Sequence, residues 1–171
     1  SWKPANNLYG ILPMIVGSLY VTAGALIIGV PIGILTAVFM ARFAPKSIYR
    51  PMKAAVHLMA GIPSVVYGFF GLVVLVPFIR ETFGEGGMSV LTASVLLGLM
   101  ILPTIISVSE ASIQAVPESY YEGGLALGAS HERSVFFTVL PAAKSGIFAG
   151  VVLGIGRAVG ETMAVMMVAG N

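Results

Sequence analysis

The stretch Pro117–Pro141, PESYYEGGLALGASHERSVFFTVLP, interrupts a chain that is otherwise strongly apolar. It carries three glutamates, a histidine, an arginine and two tyrosines. The stretch predicts two short helices, because Gly128 suits a left-handed helix end and Ser130 suits the N-cap of a following helix. Glu118 lies in the first turn, where the helix dipole favours an acidic residue, and we expect Pro141 to end the second helix.

A helix–glycine–helix projection of this size is typical of two arrangements in membrane proteins. One is a docking piece for a soluble partner, and the other is an interfacial amphipathic hairpin that only joins two spans. Composition alone leaves both open.

The composition is that of an integral membrane protein. The chain has 171 residues, of which 57% are hydrophobic and 9% charged, and its mean hydropathy is +0.98. Soluble domains carry roughly 25% charged residues. The absence of cysteine excludes disulfides and thiolate metal sites. A net charge of +2, with scattered basic residues, argues against a nucleic-acid surface. The polar, Trp-containing start does not resemble a signal peptide, and we expect an interior piece of a longer protein.

Hydropathy predicts an all-α, multi-pass fold with four membrane spans. The spans are expected at about 11–41, 54–79, 88–109 and 145–170. Basic residues in the two intervening segments on one side, 42–53 and 110–144, are Arg42, Lys46, Arg50, Lys53, Arg133 and Lys144. The other side has Lys3 and Arg80. The positive-inside rule therefore places the loop at about 117–141 in the cytoplasm.

Small residues recur at helical spacing in the predicted spans. Ridges such as Gly146, Gly150 and Gly154, or Gly156 and Gly160, allow helix backbones to approach closely in lipid. The same property holds for Gly29 with Gly33.

The segment GIPSVVYGFFG, residues 61–71, combines such a ridge with a helix break. Gly61, Pro63, Ser64 and Gly68 predict a kink and close packing, and we expect the Ser64 hydroxyl to satisfy a freed carbonyl.

Arg157 and Glu161 are the charges expected near mid-membrane. Each costs roughly 2.5–3.5 kcal/mol there on insertion scales. At a spacing of four they can share a helix face and pair. The pair is either a mutually neutralising structural element or part of a polar pathway in which the arginine meets an anion. A guanidinium suits phosphate because it donates in a fixed bidentate fork.

The sequence contains no Gly-x-x-x-x-Gly-Lys run, so the chain is not expected to bind ATP phosphates itself. It has no Gly-x-Ser-x-Gly elbow, and His131-Glu132 lacks a second histidine at metalloprotease spacing. No catalytic or metal site is predicted.

The loop resembles the EAA loop of ABC-transporter permeases in the spacing of four positions. Glu122, Gly128 and Leu140-Pro141 match, while Gly123 and Gly124 stand where the family has alanine and Thr138 stands where it has isoleucine. In that family the loop inserts into a groove of the ATPase subunit. The resemblance therefore assigns ATPase coupling to Glu122, Gly123, Gly124, Gly128, Leu140 and Pro141.

GIPSVVYGFFG and the final GRAVGETMAVMMVAGN resemble the permeases of the phosphate-specific transport system, the PstC subunit more than PstA. The resemblance implies an inner-membrane permease that is not itself an enzyme, with ATP and Mg bound by a separate cytoplasmic ATPase. It also implies a PstA-like second permease and a periplasmic or lipid-anchored phosphate-binding protein. A permease for sulfate or molybdate, a non-transporting membrane scaffold and an ion channel are the alternatives.

Overall fold

The computed structural model describes residues 12–84, 90–161 and 165, and every regular element in them is helical. The α-helices are α1 (Leu12–Val38), α2 (Lys46–Gly61), α3 (Ser64–Phe70), α4 (Val76–Phe83), α5 (Val90–Gln114), α6 (Glu118–Ala126), α7 (His131–Ser134) and α8 (Leu140–Gly160). Three π-helical turns extend or join them, at Phe39–Phe43, Gly71–Leu75 and Val135–Val139. The predicted all-α fold class is confirmed.

Within these described residues, four helical runs are long and apolar enough to cross a membrane. They are Ile15–Phe43, Ser64–Phe83, Val90–Gln114 and His131–Gly160. In the most apolar part of α5, 67% of the residues are buried inside the chain, against 33% or less in the other three runs. α5 is therefore the most enclosed span.

The second span differs from the interval 54–79 that hydropathy predicts. α2 ends at Gly61, and a new helix begins at Ser64 after Pro63, whose backbone is extended with ψ of 148°. α2 also starts with Lys46 and carries Arg50 and Lys53, so it is an amphipathic helix with a polar face. The apolar run is consequently Ser64–Phe83, which continues four residues beyond the predicted end.

Three prolines follow the π-helical turns at one constant spacing. Pro45, Pro77 and Pro141 each lie two residues after such a turn. The residue before each proline donates its N–H to the carbonyl five positions earlier: Ala44 to Phe39, Val76 to Gly71, and Leu140 to Val135. At Pro77 and Pro141 the helix continues, and since a proline ring crowds the carbonyl four positions back, the widened turn makes room for it. At Pro45 the chain leaves the helix instead, because Ala44 has an extended backbone.

This arrangement corrects one expectation from the sequence. Pro141 does not end the second helix of the polar loop, because the run His131–Gly160 is continuous through Val135–Val139. The helical run that carries the fourth predicted span therefore begins at His131, within the loop. Beyond Gly160 only Glu161 and Val165 are described, so the predicted span end at residue 170 lies outside the described residues.

The chain divides into two compact units. The first comprises Ser1–Gly29, Ile62–Ile101 and Ile155–Asn171, and its core includes Ala25, Ala93, Leu96, Leu97 and Met100, each 1% exposed or less. In this unit a β-carbon on Gly24 would lie 2.8 Å from Ser94 Cβ, so α1 and α5 approach closely there.

The second unit comprises Val30–Gly61 and Leu102–Gly154 and contains the whole polar loop. Its main core is formed by Ala37, Val38, Ile113, Val116, Val135, Val139 and Ala143. These residues come from α1, α5, the turn Val135–Val139 and α8, together with the segment that follows α5. A smaller cluster of Met40, Val56 and Ile106 attaches α2 to this unit.

Candidate functional site

The polar loop is built as two helices joined by a left-handed glycine, as the sequence predicts. α6 spans Glu118–Ala126, and Gly128 has φ of +86°. The Ser130 hydroxyl accepts a hydrogen bond from the Arg133 N–H, which caps α7. Both local predictions, for Gly128 and for Ser130, are confirmed.

The two glycines that stand in place of the EAA alanines lie in different surroundings. Gly123 is exposed, and a β-carbon on it would meet nothing within 4 Å. Gly124 is buried, and a β-carbon there would lie 2.6 Å from the Ser134 hydroxyl and 3.0 Å from Ser134 Cβ. α6 therefore approaches the start of the fourth span through Gly124, and only this second glycine is required for the approach.

The outer surface of the loop is apolar at its tip. Leu127 is 92% exposed, and Leu125 and Phe137 are exposed as well. Beside them lies an open groove of about 300 Å³ lined by Gly124, Leu127, Gly128, Ala129, Arg133, Phe137 and Thr138. Glu122 and Pro141 are exposed, whereas Leu140 is partly buried against the core of the second unit. An exposed leucine at a loop tip suits a hydrophobic groove on a partner.

The first span is attached to this loop by contacts that the sequence analysis did not predict. The Arg42 guanidinium donates to the Glu118 carboxylate at 3.2 Å, and its carbon lies 5.4 Å from the centre of the Tyr121 ring. His131 bonds the Arg42 carbonyl oxygen at 3.0 Å and the Tyr121 hydroxyl at 2.7 Å. In the sequence Arg42 is only one of six basic residues in the segments 42–53 and 110–144, and its partners are 76 and 89 positions away.

A second unpredicted network holds α2 against α5 through one buried carboxylate. Glu110 is fully buried, and it accepts hydrogen bonds from Lys53 at 3.0 Å, from Gln114 at 3.2 Å and from the Tyr49 hydroxyl. A buried carboxylate is tolerated when it is paired and hydrogen-bonded in this way. The spacings Tyr49–Lys53 and Glu110–Gln114, each four apart, are the only sequence signal for it.

In the first unit Glu161 is placed by the helix break at Pro63. Ser64 donates from its hydroxyl to Glu161 Oε2 at 3.1 Å. The expectation that Ser64 satisfies a freed carbonyl therefore gives way to a side-chain contact. Glu161 follows the last residue of α8 and lines a cavity of about 30 Å³, together with Ser18 and Thr22 among others.

The other predicted residues of this region surround the break. Arg157 lies in the last turn of α8 and interacts electrostatically with Tyr67 of α3. Gly68 is buried in α3, and Gly61 ends α2 with open space around the position of a β-carbon. Within residues 12–84 and 90–161, no three His, Asp or Glu side chains converge on a metal-binding position.

These features define a class of protein: a polytopic α-helical membrane protein that presents a polar helix–turn–helix with an apolar tip. Residues 29–171 match the family described as binding-protein-dependent transport system inner membrane component. The chain belongs to this family.

The relatives are permease proteins. The chain is 44% identical over 174 residues to the probable ABC transporter permease protein YqgH of Bacillus subtilis (strain 168), which covers 100% of this chain and 56% of the relative. It is 36% identical over 191 residues to the phosphate transport system permease protein PstC of Mesorhizobium japonicum, which covers 100% of this chain and 58% of that protein. The chain thus spans less than three fifths of the length of these curated relatives.

A solved structure shares the fold. A chain of the MetNI methionine ABC transporter, crystallised in inward facing conformations, matches with a TM-score of 0.67 at 24% identity. The match covers 88% of this chain and 68% of that one. The architecture is therefore that of an ABC importer permease.

Proposed function

We propose that this chain is part of the permease subunit of an ATP-driven importer that translocates inorganic phosphate across the inner membrane. The observation that carries the proposal is the exposed helix–turn–helix at 118–141, borne by membrane spans in a chain that has no ATP-binding sequence. Relatives named PstC, 36% identical over essentially the whole chain, support phosphate as the substrate.

In this proposal a separate cytoplasmic ATPase binds ATP and Mg and docks on the loop. Leu127 provides an apolar side chain that is almost fully exposed and ready to enter a hydrophobic groove. Glu122 and Gly123 offer an exposed polar edge beside it, while Gly124 and Gly128 set the angle between the two helices. Leu140 and Pro141 join the loop directly to the fourth span, so movement of the loop reaches that span without a flexible link.

The proposed phosphate pathway runs past Arg157 and Glu161. A guanidinium that stays charged in the membrane can meet an oxyanion, and its planar fork matches the oxygen geometry. Ser64 holds Glu161 at 3.1 Å, and the break at Pro63 is what brings this hydroxyl to the carboxylate. Gly61 and Gly68 flank the break, where Gly61 ends α2 and the buried Gly68 lets α3 pack closely.

The proposal includes three further partners. A PstA-like second permease completes the pore, a periplasmic or lipid-anchored phosphate-binding protein delivers the substrate, and membrane lipid surrounds the exposed apolar faces of the spans. The chain's role in the complex is transport, and hydrolysis of ATP takes place in the ATPase.

The test is reconstitution of the full-length protein with its partners in proteoliposomes. Phosphate with its binding protein is expected to stimulate ATP hydrolysis and to accumulate inside, whereas sulfate and molybdate are not. Omission of the binding protein is the control for substrate delivery. If sulfate or molybdate stimulated hydrolysis instead, that anion would replace phosphate as the proposed substrate. If none of the three anions did, the proposal that the protein is part of an importer would be contradicted.

A further inference from the structure

The cytoplasmic end of the first span is tied to both helices of the loop through one residue, Arg42. Its guanidinium reaches α6, where it donates to Glu118 at 3.2 Å and lies over the Tyr121 ring at 5.4 Å. The Arg42 side chain is only 13% exposed, whereas Glu118 is 60% exposed. The Arg42 guanidinium is therefore the less exposed partner of the ion pair. The face of the Tyr121 ring adds a cation–π attraction to it.

The backbone of the same residue is held by the second helix of the loop. The Arg42 carbonyl lies at the end of the first span, where helix carbonyls lack intrahelical partners. His131, at the start of α7, lies 3.0 Å from it through Nε2. Because a carbonyl oxygen only accepts, Nε2 carries a proton, and in the neutral imidazole Nδ1 then accepts from the Tyr121 hydroxyl at 2.7 Å.

The contacts form a closed ring of three residues. Arg42 touches Tyr121, Tyr121 bonds His131, and His131 bonds Arg42 again. Phe43 packs edge-on against the His131 ring at 4.8 Å, which fixes the plane of the imidazole. Gly128 separates α6 from α7, yet both helices contact the same residue of the first span. A movement of either helix therefore pulls on Arg42.

We propose that Arg42 is a positioning residue that makes the cytoplasmic end of the first span move together with the loop. We call the ring of contacts Arg42–Tyr121–His131 the joint. The Glu118 carboxylate orients the Arg42 side chain within this joint through their ion pair. The inference rests on the proposed docking of an ATPase, and it adds a second route from the loop into the membrane besides the continuous helix His131–Gly160.

The first experiment measures the distance across the joint in the assembled full-length transporter. Spin labels are placed at Lys46, just after the first span, and at Ser119 on α6, both exposed. The labelled parent must still hydrolyse ATP and transport. We expect one narrow distance that is the same without nucleotide and with trapped ATP. In Arg42→Gln we expect the distribution of distances between the two labels to broaden or split into two peaks when ATP is trapped.

The matched control is Arg50→Gln, which removes an equal charge from an exposed position of the same cytoplasmic segment. It should behave like the parent. If Arg42→Gln does not assemble, Glu118→Gln at the exposed end of the ion pair replaces it and should broaden the distance in the same way. The proposal would be overturned if the variant that assembles gave a distribution of label distances as narrow as that of the parent.

The second measurement is the amount of solute moved per ATP hydrolysed. For Arg42→Gln we expect this ratio to fall by about tenfold, the size of an ordinary coupling between sites, while ATPase recovery in pull-downs is unchanged. Arg42→Lys should restore part of the ratio, because it keeps the charge but loses the planar stacking on Tyr121. An unchanged ratio in Arg42→Gln would contradict the proposal. The spin-label distance does not depend on the solute, so a transporter that ignores phosphate but keeps the joint would overturn only the proposed substrate.

Discussion

At the scale of single residues, the space around each glycine decides its role in this protein. Gly123 and Gly124 are neighbours on α6, yet only a β-carbon on Gly124 would meet the buried Ser134. The Ser134 hydroxyl has no hydrogen-bond partner within the described part of the chain. The departure from the EAA pattern at Gly124 thus accompanies a serine that occupies the room an alanine would take.

The two glycines are expected to respond oppositely to alanine. Gly123→Ala should stabilise the protein by about 0.5–1 kcal/mol, because alanine restricts the unfolded chain and favours the helix. Gly124→Ala should destabilise it by about 1–3 kcal/mol through overpacking against Ser134. The thermal unfolding of the purified full-length protein in detergent measures both. Adding Ser134→Ala to Gly124→Ala should recover part of the loss, and equal stability of the two single variants would contradict the packing argument.

Gly128 is required for its backbone conformation and not for space. Its φ is +86° and its β-carbon would meet nothing, so Gly128→Leu costs about 1–2 kcal/mol through left-handed strain alone. We expect the protein to insert into the membrane while ATPase association or coupling is lost. Pull-down of the ATPase from matched membranes measures this. Full ATPase recovery together with normal transport would show that the turn is not part of the docking surface.

At the scale of the helices, close approach between α5 and α8 holds the second unit together. A β-carbon on Gly146 would lie 2.5 Å from Ser112 Cβ, and one on Gly150 would lie 3.2 Å from Val108 Cβ. Gly156 and Gly160, the other predicted ridge, would meet nothing within 4 Å. Only one of the two ridges predicted on this helix is therefore in use between the described residues.

Gly146→Ala and Gly156→Ala form a matched pair on one helix. We expect Gly146→Ala to lower stability by about 1–3 kcal/mol, because Ser112 Cβ is fixed to the backbone of α5 and a change of rotamer cannot move it away. Gly156→Ala should be neutral or slightly stabilising in the same unfolding assay. If Gly156→Ala had the lower midpoint of thermal unfolding and Gly146→Ala the higher one, the close contact between Gly146 and Ser112 would be contradicted.

At the scale of the whole molecule, the charged residues discussed above form two groups, one beside the polar loop and α2 and one near the end of the fourth helical run. Two ion pairs within the described residues join Arg42, at the end of the first helical run, to Glu118, and Lys53 of α2 to Glu110. Arg157 lies instead in the last turn of the fourth helical run, and Glu161 follows the last residue of that run. We expect the group that contains Arg42 to transmit movement, and the group of Arg157 and Glu161 to meet the anion in the proposed pathway.

Charge exchange at Arg157 and Glu161 tests the pathway. If the two residues only balance one another, the double variant Arg157→Gln/Glu161→Gln and the swap Arg157→Glu/Glu161→Arg should both transport, since no charge is stranded. We expect both to assemble with their partners and to fail in phosphate uptake, because the position of the guanidinium matters to an anion. Uptake near the unmodified level at matched membrane abundance, in either variant, would assign the pair to packing.

Labelling of single cysteines tests the orientation in the membrane. Cysteines at Lys46 and Arg133 should react with an impermeant reagent only after the cytoplasmic side is opened, whereas one at Glu81 should react in intact spheroplasts. Glu85, an alternative outer site, lies outside the described residues. Equal labelling of Lys46 and Glu81 would contradict the orientation derived from the basic residues.

Much of this protein can be predicted from the sequence because the relevant interactions are local. Hydropathy over about 20 residues predicts the membrane class, and capping chemistry over three or four residues predicts the two helices of the loop. The left-handed Gly128 and the Ser130 cap belong to this group. The presence of a break at Pro63 does too, because a proline acts on its own turn.

The tertiary structure alone decided which distant residues meet. His131 bonds a carbonyl 89 positions away, and Ser64 bonds a carboxylate 97 positions away. Neither contact has a periodicity in the sequence. The continuation of the helix through Pro141 was decided in the same way, because Val135 and Val139 are both buried in the core of the second unit. Such contacts depend on how helices cross, and crossing is settled by packing summed over many side chains and not by any short stretch of sequence.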